Sequence, residues 1–495
     1  MVAKFVVMWV LIGSVAAAAQ EPVDLTTIGR IKEEGLQRSQ VLATFNHFTN
    51  VIGPRLTGTP AYKQSADWAR QQLERWGLSN SHLEAFEFGR GWTLEKLTLE
   101  LTGPRYFPLI AFPQAWTPST KGAVTGTPVY VGDKTLEEVR AMGDRLRGAI
   151  VLLVPPQTGF IKQDRPQPSA TEERVRIGAP PNINSVGRVP NNEMNQLMQV
   201  LQQLGAGVVL RPNMGEHGTI FVLGNRNTAN DAVPTIVLAA EHYNMLVRML
   251  QAGTPPQLLV ELRARYHEQD RNGYNVIAEI PGTDPQLKDE IVLLSAHLDS
   301  WHASNGATDN ADGSATAMEA IRILKAINAR PKRTIRVALW GGEEQGLLGS
   351  RAYAEKYYAG DANAVAREKF YVNFNDDPGT GKIYGWYLQE NAALKPIFDA
   401  WLAPLKDIGA VKNVIDPIGS TDHLSFTRIQ LPAFTAIKDY VDYDVRTHHT
   451  NTDFYERVAE PDLKQSAIVM AVFAWQAANR VGKLPASPPP RTNQN

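Results

Sequence analysis

Residues 335–350 constrain the fold more than any other part of the chain, and they read IRVALWGGEEQGLLGS. The apolar start is typical of a buried β-strand, and the strand leads directly into two adjacent carboxylates, Glu343 and Glu344. Adjacent acids repel each other, and burying them is costly. Such a pair is therefore expected where a cation binds one carboxylate and a chemical step uses the other. A solvated turn with two glutamates is the plainer interpretation, but the flanking glycines and the rest of the chain favour a site.

Strand and helix patterns alternate between residues 270 and 480. Apolar runs typical of strands cover residues 274–280, 291–297 and 335–340. Between the last two runs, one helical face is formed by Ala317, Ile321, Leu324 and Ile327. This order predicts an α/β sheet with helices on its faces.

Composition limits the classes of protein that the chain can belong to. At 495 residues it is too long for one simple core, which predicts two or more domains. Lys and Arg number 50 against 51 Asp and Glu, so no basic field attracts nucleic acid or an anionic membrane. The chain has no cysteine, so any metal must be bound by His, Asp and Glu.

The first 19 residues have the pattern of a secretory signal peptide. A positive start is followed by an apolar run over residues 5–15 and an Ala-x-Ala end, which predicts cleavage after Ala19. The run is shorter than the roughly 20 apolar residues that cross a bilayer. We therefore expect a secreted or periplasmic protein with no membrane anchor.

The composition and the strand and helix patterns divide the mature chain into four parts. We predict that residues 20–117 form the N-terminal part of the main domain and that residues 118–268 form a separate β-rich domain. The second range carries short β-like runs and a long loop, rich in Pro and polar residues, between positions 155 and 192. Residues 269–484 are predicted to be the catalytic part of the main domain, and residues 485–495 a disordered tail.

Five segments end strands or open helices with side chains that bind metals, and Glu343–Glu344 is one of them. In AHLDS, His297 closes an apolar strand and Asp299 lies two residues on. A carboxylate on the same strand face can orient the imidazole. A core histidine satisfied by a neighbour is an equally good interpretation of His297 taken alone.

The loop GATDNADG precedes a helix and carries two aspartates. Asp312 fits the cap of that helix. Asp309 lies three residues before it in a glycine-bounded loop, where its carboxylate is free to bridge two cations.

The last two segments each leave a choice between neighbouring residues. In NDDPG, the alternation of residues 371–377 puts Asp377 on the polar face of a strand, while Asp376 stays open. In HHTNTD, one of His448 and His449 is expected to be a bystander.

Together these segments supply two histidines, three carboxylates and one further glutamate. This set suits two divalent ions with three protein ligands each if one aspartate bridges. Two metals about 3.5–4 Å apart can polarise a carbonyl and generate hydroxide at neutral pH. The remaining glutamate would then lie beside the metals as a base.

With these residues assembled, the chain resembles the M28-type zinc exopeptidases, which include aminopeptidases and carboxypeptidase Q-like enzymes. The motifs AHLDS, GATDNADG, GGEEQGLLGS and HHTNTD match in order and spacing over about 160 residues. The loop GPRLTGTP is similar to the family's opening segment. The resemblance implies an α/β zinc-exopeptidase (phosphorylase/hydrolase-like) fold with a central mixed β-sheet flanked by helices. It also implies that the β-rich insert is a protease-associated domain.

The resemblance further implies a secreted enzyme that hydrolyses the N-terminal peptide bond of peptides or dipeptides. Its cofactors would be two Zn²⁺ ions, with the ligands His297, Asp309, Glu344, Asp377 and His449. Asp309 would bridge the ions, Glu343 would be the general base, and Asp299 would orient His297.

Several alternatives stay open at this point. An inactive receptor-like homologue and a glutaminyl-cyclase-like acyl transferase are the other candidate functions, and a homodimer is a candidate assembly. His423 either contacts substrate or is packed in the core. Residues 439–444 form either an acidic rim that attracts a free α-amino group or a solvated face.

Overall fold

The computed structural model describes residues 21–166 and 191–486. The predicted signal peptide, most of the long loop between positions 155 and 192, and all but the first two residues of the predicted tail lie outside these ranges. Within them, no helix combines the length and the apolar character that crossing a bilayer requires.

The strands of the described ranges belong to three sheets. In chain order they are β1 (Ser79–Glu87), β2 (Gly91–Gly103), β3 (Phe107–Pro108), β4 (Ala111–Pro113), β5 (Val124–Gly126), β6 (Val129–Tyr130), β7 (Ile150–Leu152), β8 (Val208–Pro212), β9 (Thr235–Leu238), β10 (Gln257–His267), β11 (Asn272–Ile280), β12 (Ile291–His297), β13 (Thr334–Trp340), β14 (Phe370–Asn375), β15 (Thr380–Trp386) and β16 (Ala433–Asp439).

The α-helices are distributed along the whole of the described chain. They are α1 (Leu25–Gln37), α2 (Val41–Asn46), α3 (Pro60–Arg75), α4 (Leu136–Ala141), α5 (Asn191–Gln203), α6 (Ala240–Gln251), α7 (Asp312–Ala326), α8 (Leu348–Tyr358), α9 (Ala364–Lys369), α10 (Lys395–Leu402), α11 (His423–Thr427) and α12 (Glu460–Asn479).

A seven-stranded mixed sheet forms the centre of the main domain. Its strand order is β1-β11-β13-β12-β14-β16-β15. Strands β13, β12, β14 and β16 run parallel, and the pairs β1–β11, β11–β13 and β16–β15 are antiparallel. The predicted α/β sheet is therefore confirmed, and its four parallel strands have their carboxyl ends on the same edge.

Helices cover both faces of this sheet. Val292 and Leu294 of β12 pack into the larger core with α1, α2, α7 and α12, whereas Leu293 packs on the other face with side chains of α8 and α11. A strand that is buried on both faces reads as a continuous apolar run. This explains why the predicted strands at 291–297 and 335–340 lack a polar alternation.

The described residues of 91–267, which we name the middle unit, contain two further sheets. One has the order β3-β2-β10-β5 and is antiparallel; the other has the order β4-β9-β8-β7-β6, with its last four strands parallel. Side chains of α6 pack on one face of the second sheet, and side chains of α4 and α5 pack on the other.

The long strand β2 links the start of the middle unit to its end. Its register with β10 runs from the pair Gly91 and His267 to the pair Gly103 and Gln257. The hydrogen-bonded sheet of the middle unit thus includes residues that precede position 118. The boundaries predicted from the sequence stay a prediction, and this pairing favours a unit that begins near residue 91.

The contact between α1 and α12 gives a test of the main core. A Cβ atom added at Gly35 would lie 2.4 Å from Cγ1 of Ile468, whereas one added at Gly29 in the same helix meets no atom within 4 Å. We expect Gly35→Ala to lower the free energy of unfolding by about 1–3 kcal/mol. Gly29→Ala should raise it by about 0.4–1 kcal/mol.

Urea unfolding of the two variants beside the unchanged protein measures both effects. The matched substitutions share a helix and a chemical change, so a helix-propensity effect alone would move both midpoints upward. An unchanged or raised midpoint for Gly35→Ala would contradict the close helix packing.

Candidate metal centre

The predicted metal-binding segments meet at one edge of the seven-stranded sheet. His297 is the last residue of β12, Glu344 follows β13, and Asp377 follows β14. These three parallel strands are neighbours, so their carboxyl ends bring the segments together. The same edge is where open α/β sheets form their ligand sites.

Asp309 lies at the centre of the cluster, in the segment between β12 and α7. Its Oδ1 is 3.2 Å from Nε2 of His297, and its Oδ2 is 3.2 Å from Nε2 of His449. Oε2 of Glu344 lies 2.9 Å from that nitrogen of His449, and Oδ1 of Asp377 lies 3.6 Å from Nε2 of His297. The structure thus brings all five predicted ligands together, with Asp309 between the two imidazoles.

The donor atoms of this cluster fit a bound cation. Among the described residues, Nε2 of His297, Oδ2 of Asp309 and Oε1 of Glu344 are buried and make no well-formed hydrogen bond, although the first two lie 3.2 Å from other polar atoms of the cluster. Ligand atoms of these three residues lie within 4.8 Å of one another. Buried polar atoms are rarely left without partners, and imidazole nitrogens with carboxylate oxygens are a ligand set for Zn²⁺.

The electrostatics of the cluster are those of acids that are buried together. Burial raises the pKa of Glu343 well above its usual value, and burial together with the charge of Asp309 raises the pKa of Glu344 to about 7. Burial by itself lowers the pKa of His449, but Glu344 raises it to about 9. A divalent cation would relieve the repulsion between these carboxylates.

The two neighbouring aspartates after β14 point in different directions. Asp377 faces His297, whereas Oδ1 of Asp376 lies 3.4 Å from Nζ of the buried Lys438. The geometry therefore favours Asp377 as the ligand. The same lysine lies 2.5 Å from Oδ2 of Asp312.

The prediction that Asp312 caps α7 is wrong. Ala311 occupies the cap position without a side-chain hydrogen bond, and Asp312 is the first helical residue. Its carboxylate pairs with Lys438 because both are fully buried and each needs a partner of opposite charge. A lysine inside the apolar strand β16 was the feature of the sequence that pointed to such a pair.

Asp299 holds two parts of the site at once. Its carboxylate accepts hydrogen bonds from the backbone N–H groups of Glu343 (3.2 Å) and Glu344 (3.4 Å). Its backbone carbonyl lies 3.0 Å from Nδ1 of His297, closer than its carboxylate at 3.6 Å. A proton on Nδ1 leaves Nε2 free for a metal. Asp299 is thus placed to fix the glutamate pair as well as the histidine.

Two buried residues that received no role from the sequence also shape the site. The carboxylate of Asp453 accepts the N–H groups of Thr308 (2.9 Å) and Asp309 (3.2 Å). Arg55 donates to the carbonyls of residues 298 and 306, at 2.9 and 2.8 Å, and so clamps the segment between His297 and Asp309. A charged residue inside the loop GPRLTGTP was the available indication for Arg55.

The segment that carries His449 is attached to the middle unit. The backbone carbonyl of His449 accepts the N–H of Val222 at 3.1 Å, and the N–H of Asn451 donates to the carbonyl of Ile220 at 3.1 Å. His448 stacks on Tyr443, with ring centroids 4.9 Å apart, and one of its ring nitrogens lies within 4.8 Å of ligand atoms of Asp309 and His449. Burial lowers the pKa of His448 to about 3.

The remaining open choices concern the rim of the site. His423 is buried, with Nε2 3.0 Å from the carbonyl of Ile418, which favours the packed alternative. Asp444 is also buried, and Oδ2 of Asp439 accepts the hydroxyl of Tyr384 at 2.9 Å. Residues 439–444 therefore do not form a continuous acidic rim.

A cavity of about 560 Å³ opens above the cluster. Its walls include ligand carboxylates, the base candidate Glu343 and the apolar side chains of Leu347 and Ile418. Its volume lies in the range of sites that bury small molecules. An open cavity beside buried imidazoles and carboxylates is the arrangement that metal-dependent hydrolases use.

Comparison with known proteins also indicates a metal-dependent hydrolase. The family model described as "Peptidase family M28" matches residues 275–474. Carboxypeptidase Q from Mus musculus is 24% identical over 501 residues, which cover 98% of each chain.

Solved structures share the fold. A peptidase M28 precursor from Shewanella amazonensis superposes with a TM-score of 0.68 at 23% identity, covering 94% of this chain and 98% of the other. BSAP, a zinc aminopeptidase from Bacillus subtilis, gives a TM-score of 0.58 at 19% identity, with 89% and 95% covered. Residues 275–474 therefore form a domain of the peptidase family M28 type, and the protein is a metallopeptidase.

The raised pKa values predict that Zn²⁺ binding releases protons. In protein stripped of metal by a chelator, His449 and Glu344, with pKa values of about 9 and about 7, hold protons near neutral pH. Metal ligands must be deprotonated, so the apparent affinity should rise as the pH increases from about 6 to 9. Calorimetric titration in buffers of different ionisation enthalpy measures the number of protons released.

Glu344→Gln is the matched control for this titration. It removes one titrating ligand together with the charge that raises the pKa of His449, so fewer protons should be released. A binding enthalpy that is independent of the buffer in the unchanged protein would contradict the prediction.

Proposed function

We propose that the protein is a co-catalytic di-zinc exopeptidase that hydrolyses the N-terminal peptide bond of a peptide or dipeptide. Asp309 carries this proposal, because each of its two carboxylate oxygens faces a different imidazole. Glu344 on one side and Asp377 on the other supply a third ligand for each ion. Export through the signal peptide predicted for residues 1–19 is part of the proposal.

The names of related proteins support zinc and exopeptidase chemistry. One relative in sequence is a carboxypeptidase Q, and one protein of similar structure is a zinc aminopeptidase. When bound, a pair of zinc ions lowers the pKa of water and polarises the scissile carbonyl. The buried nitrogen and oxygen donors of the cluster are the groups that would hold them.

Glu343 is the residue that we assign as general base. Glu343 lines the cavity. Its neighbour Glu344 forms an ion pair with His449. Within the described part of the chain, Glu343 forms no ion pair with a histidine. Burial raises its pKa, which favours acceptance of a proton by the carboxylate. The proton would then pass to the amine of the leaving residue. The hydrogen bond from its backbone N–H to Asp299 holds the backbone of Glu343 in place for this transfer.

We propose that the middle unit contains the protease-associated insert that the family resemblance implies for residues 118–268. Its two sheets and the helices packed on them are separate from the seven-stranded sheet of the main domain. The hydrogen bond from Val222 to His449 supports a role in fixing a metal ligand.

Two substitutions distinguish the role of Glu343 as general base from the role of the neighbouring Glu344 as metal ligand. Glu343→Gln should keep about two zinc ions per chain and lose about 10²–10⁴-fold in kcat, because only proton transfer is removed. Glu344→Gln should bind zinc more weakly and so hold fewer than two zinc ions per chain after dialysis, because a ligand is removed. Metal content by mass spectrometry and initial rates on aminoacyl substrates measure both effects.

The exposed Glu355 of α8 offers a matched control. Glu355→Gln makes the same chemical change on the helix that follows the glutamate pair, and it should change neither quantity. Full activity in Glu343→Gln would exclude the mechanism. A purified protein that takes up no zinc would favour the inactive binding homologue instead.

A further inference from the structure

The backbone next to His449 is hydrogen-bonded to a short segment of the middle unit, residues 218–222. The N–H of Val222 donates to the carbonyl of His449, and the N–H of Asn451 donates to the carbonyl of Ile220, both at 3.1 Å. An isolated antiparallel bridge joins the residues between these two bonds. The two segments therefore lie beside each other as a short antiparallel pair, and the middle unit contacts a predicted metal ligand through its backbone.

The side chain of Asn451 adds two hydrogen bonds to the same contact. Its Oδ1 accepts the N–H of Ile220 at 2.7 Å, and its Nδ2 donates to the carbonyl of Gly218 at 3.2 Å. A side-chain amide can do both because it carries an acceptor and two donors. Among the described residues, three of the four hydrogen bonds between 218–222 and 449–451 thus involve Asn451.

Residues 218–222 are in turn fixed within the middle unit. Two of the side chains, Ile220 and Val222, are buried in one apolar cluster with a side chain of β9. Nδ2 of Asn213, just after β8, donates to a backbone carbonyl of the segment at 2.6 Å. The segment therefore has little freedom of its own, and the placement of the middle unit determines where the backbone of His449 is held.

The other four predicted ligands are carried by the main domain. His297 ends β12, Glu344 follows β13, Asp377 follows β14, and Asp309 lies between β12 and α7. Within the described ranges, the backbones of these four residues make no hydrogen bond to the middle unit. We name the two proposed zinc ions after their histidines: the His449 ion, which Glu344 would also bind, and the His297 ion, which Asp377 would also bind. Through hydrogen bonds to a ligand backbone, the middle unit thus reaches the His449 ion alone.

The backbone conformation of His449 makes this support important. Its φ is 59°, in the left-handed region, which non-glycine residues adopt where the surroundings hold them. A released segment would relax toward a more common conformation and carry the imidazole away from Glu344, which lies 2.9 Å from its Nε2. A site that is held in place before its ligand arrives binds more tightly than one that must first be ordered. Loss of the contact should therefore weaken binding of the His449 ion.

We propose that Asn451 is a positioning residue through which the middle unit holds His449, and that it raises the affinity of the His449 ion while leaving the His297 ion unaffected. The proposal rests on the proposed di-zinc function and goes beyond it by giving the middle unit a role in assembling one half of the metal centre. Among the described residues that line the cavity above the cluster, Asn451 is absent, so it acts through the backbone of a ligand.

Zinc titration of the metal-free full chain in the presence of a competing chelator gives the affinity of each ion. Outer residues that orient a metal ligand contribute about 10–100-fold to metal affinity. Asn451→Ala should therefore weaken one of the two zinc ions by about 10–100-fold and leave the other unchanged. The control is Asn363→Ala, since the side-chain amide of Asn363 likewise donates to two backbone carbonyls, at 3.1 and 2.8 Å, but lies beyond α8 in the main domain. It should change neither affinity.

Two background substitutions identify the ion that is weakened. In Glu344→Gln the tighter ion is the His297 ion, and adding Asn451→Ala should leave its affinity unchanged. In Asp377→Asn the tighter ion is the His449 ion, and adding Asn451→Ala should weaken it by about 10–100-fold. Equal weakening of both ions, weakening of the His297 ion alone, or unchanged affinities would each overturn the proposal.

Amide hydrogen exchange tests the same coupling in the unchanged protein, without any substitution. Coupling between two sites is reciprocal, so zinc must stabilise the contact as much as the contact stabilises the bound zinc. When zinc is added to metal-free protein, the N–H groups of Ile220 and Val222 should exchange more slowly, whereas those of β7 in the same unit should not change. Equal exchange at residues 218–222 with and without zinc would overturn the proposal even if Asn451→Ala does not fold.

Excess zinc distinguishes positioning from a merely structural role. If Asn451 acts through metal affinity, saturating zinc should restore kcat of Asn451→Ala to the value of the unchanged protein. A kcat that stays low with both ions bound would show a wider distortion and overturn the assignment. Failure of the proposed function gives a different result: two bound zinc ions without peptide hydrolysis would overturn that function alone, while the affinities still decide the role of Asn451. No zinc uptake by the unchanged protein would overturn both.

Discussion

The position of Asp309 between two imidazoles is the interaction on which the site depends. Each oxygen of its carboxylate lies 3.2 Å from a different Nε2 atom. One histidine ends β12, and the other lies far along the chain beyond β16. One carboxylate can lie next to both histidines only if the sheet edge fixes the relative positions of the segments that carry them to within a fraction of an ångström. The parallel order of β13, β12, β14 and β16 provides that edge.

Buried charged side chains hold the loops of the metal cluster in place through hydrogen bonds to the backbone. Asp299 accepts two N–H groups of the glutamate pair, Asp453 accepts two from the Asp309 segment, and Arg55 donates to carbonyls on either side of that segment. Charged partners make stronger and shorter hydrogen bonds to backbone than neutral ones. Outer residues of this kind orient metal ligands and limit alternative geometries.

The sequence indicated the side chains that meet at the sheet edge better than it indicated the buried residues that support them. His297, Asp309 and Glu344 lie in local motifs next to apolar strands, and such patterns are visible without a structure. Strand parity favoured Asp377, but β14 ends at Asn375, so the direction of that carboxylate depends on the loop and on Lys438. The pairing of β2 with β10 joins residues that are 154 to 176 positions apart, and local periodicity carries no information on such contacts.

The middle unit takes part in building the site. His449 has a left-handed backbone with φ of 59°, a conformation that costs a non-glycine residue about 1–3 kcal/mol and persists where the surroundings enforce it. The hydrogen bond from Val222 to its carbonyl is one such constraint, and it comes from the middle unit. The same unit supplies Arg165 to the cavity wall. The middle unit therefore contributes both a backbone constraint on His449 and a side chain to the cavity wall.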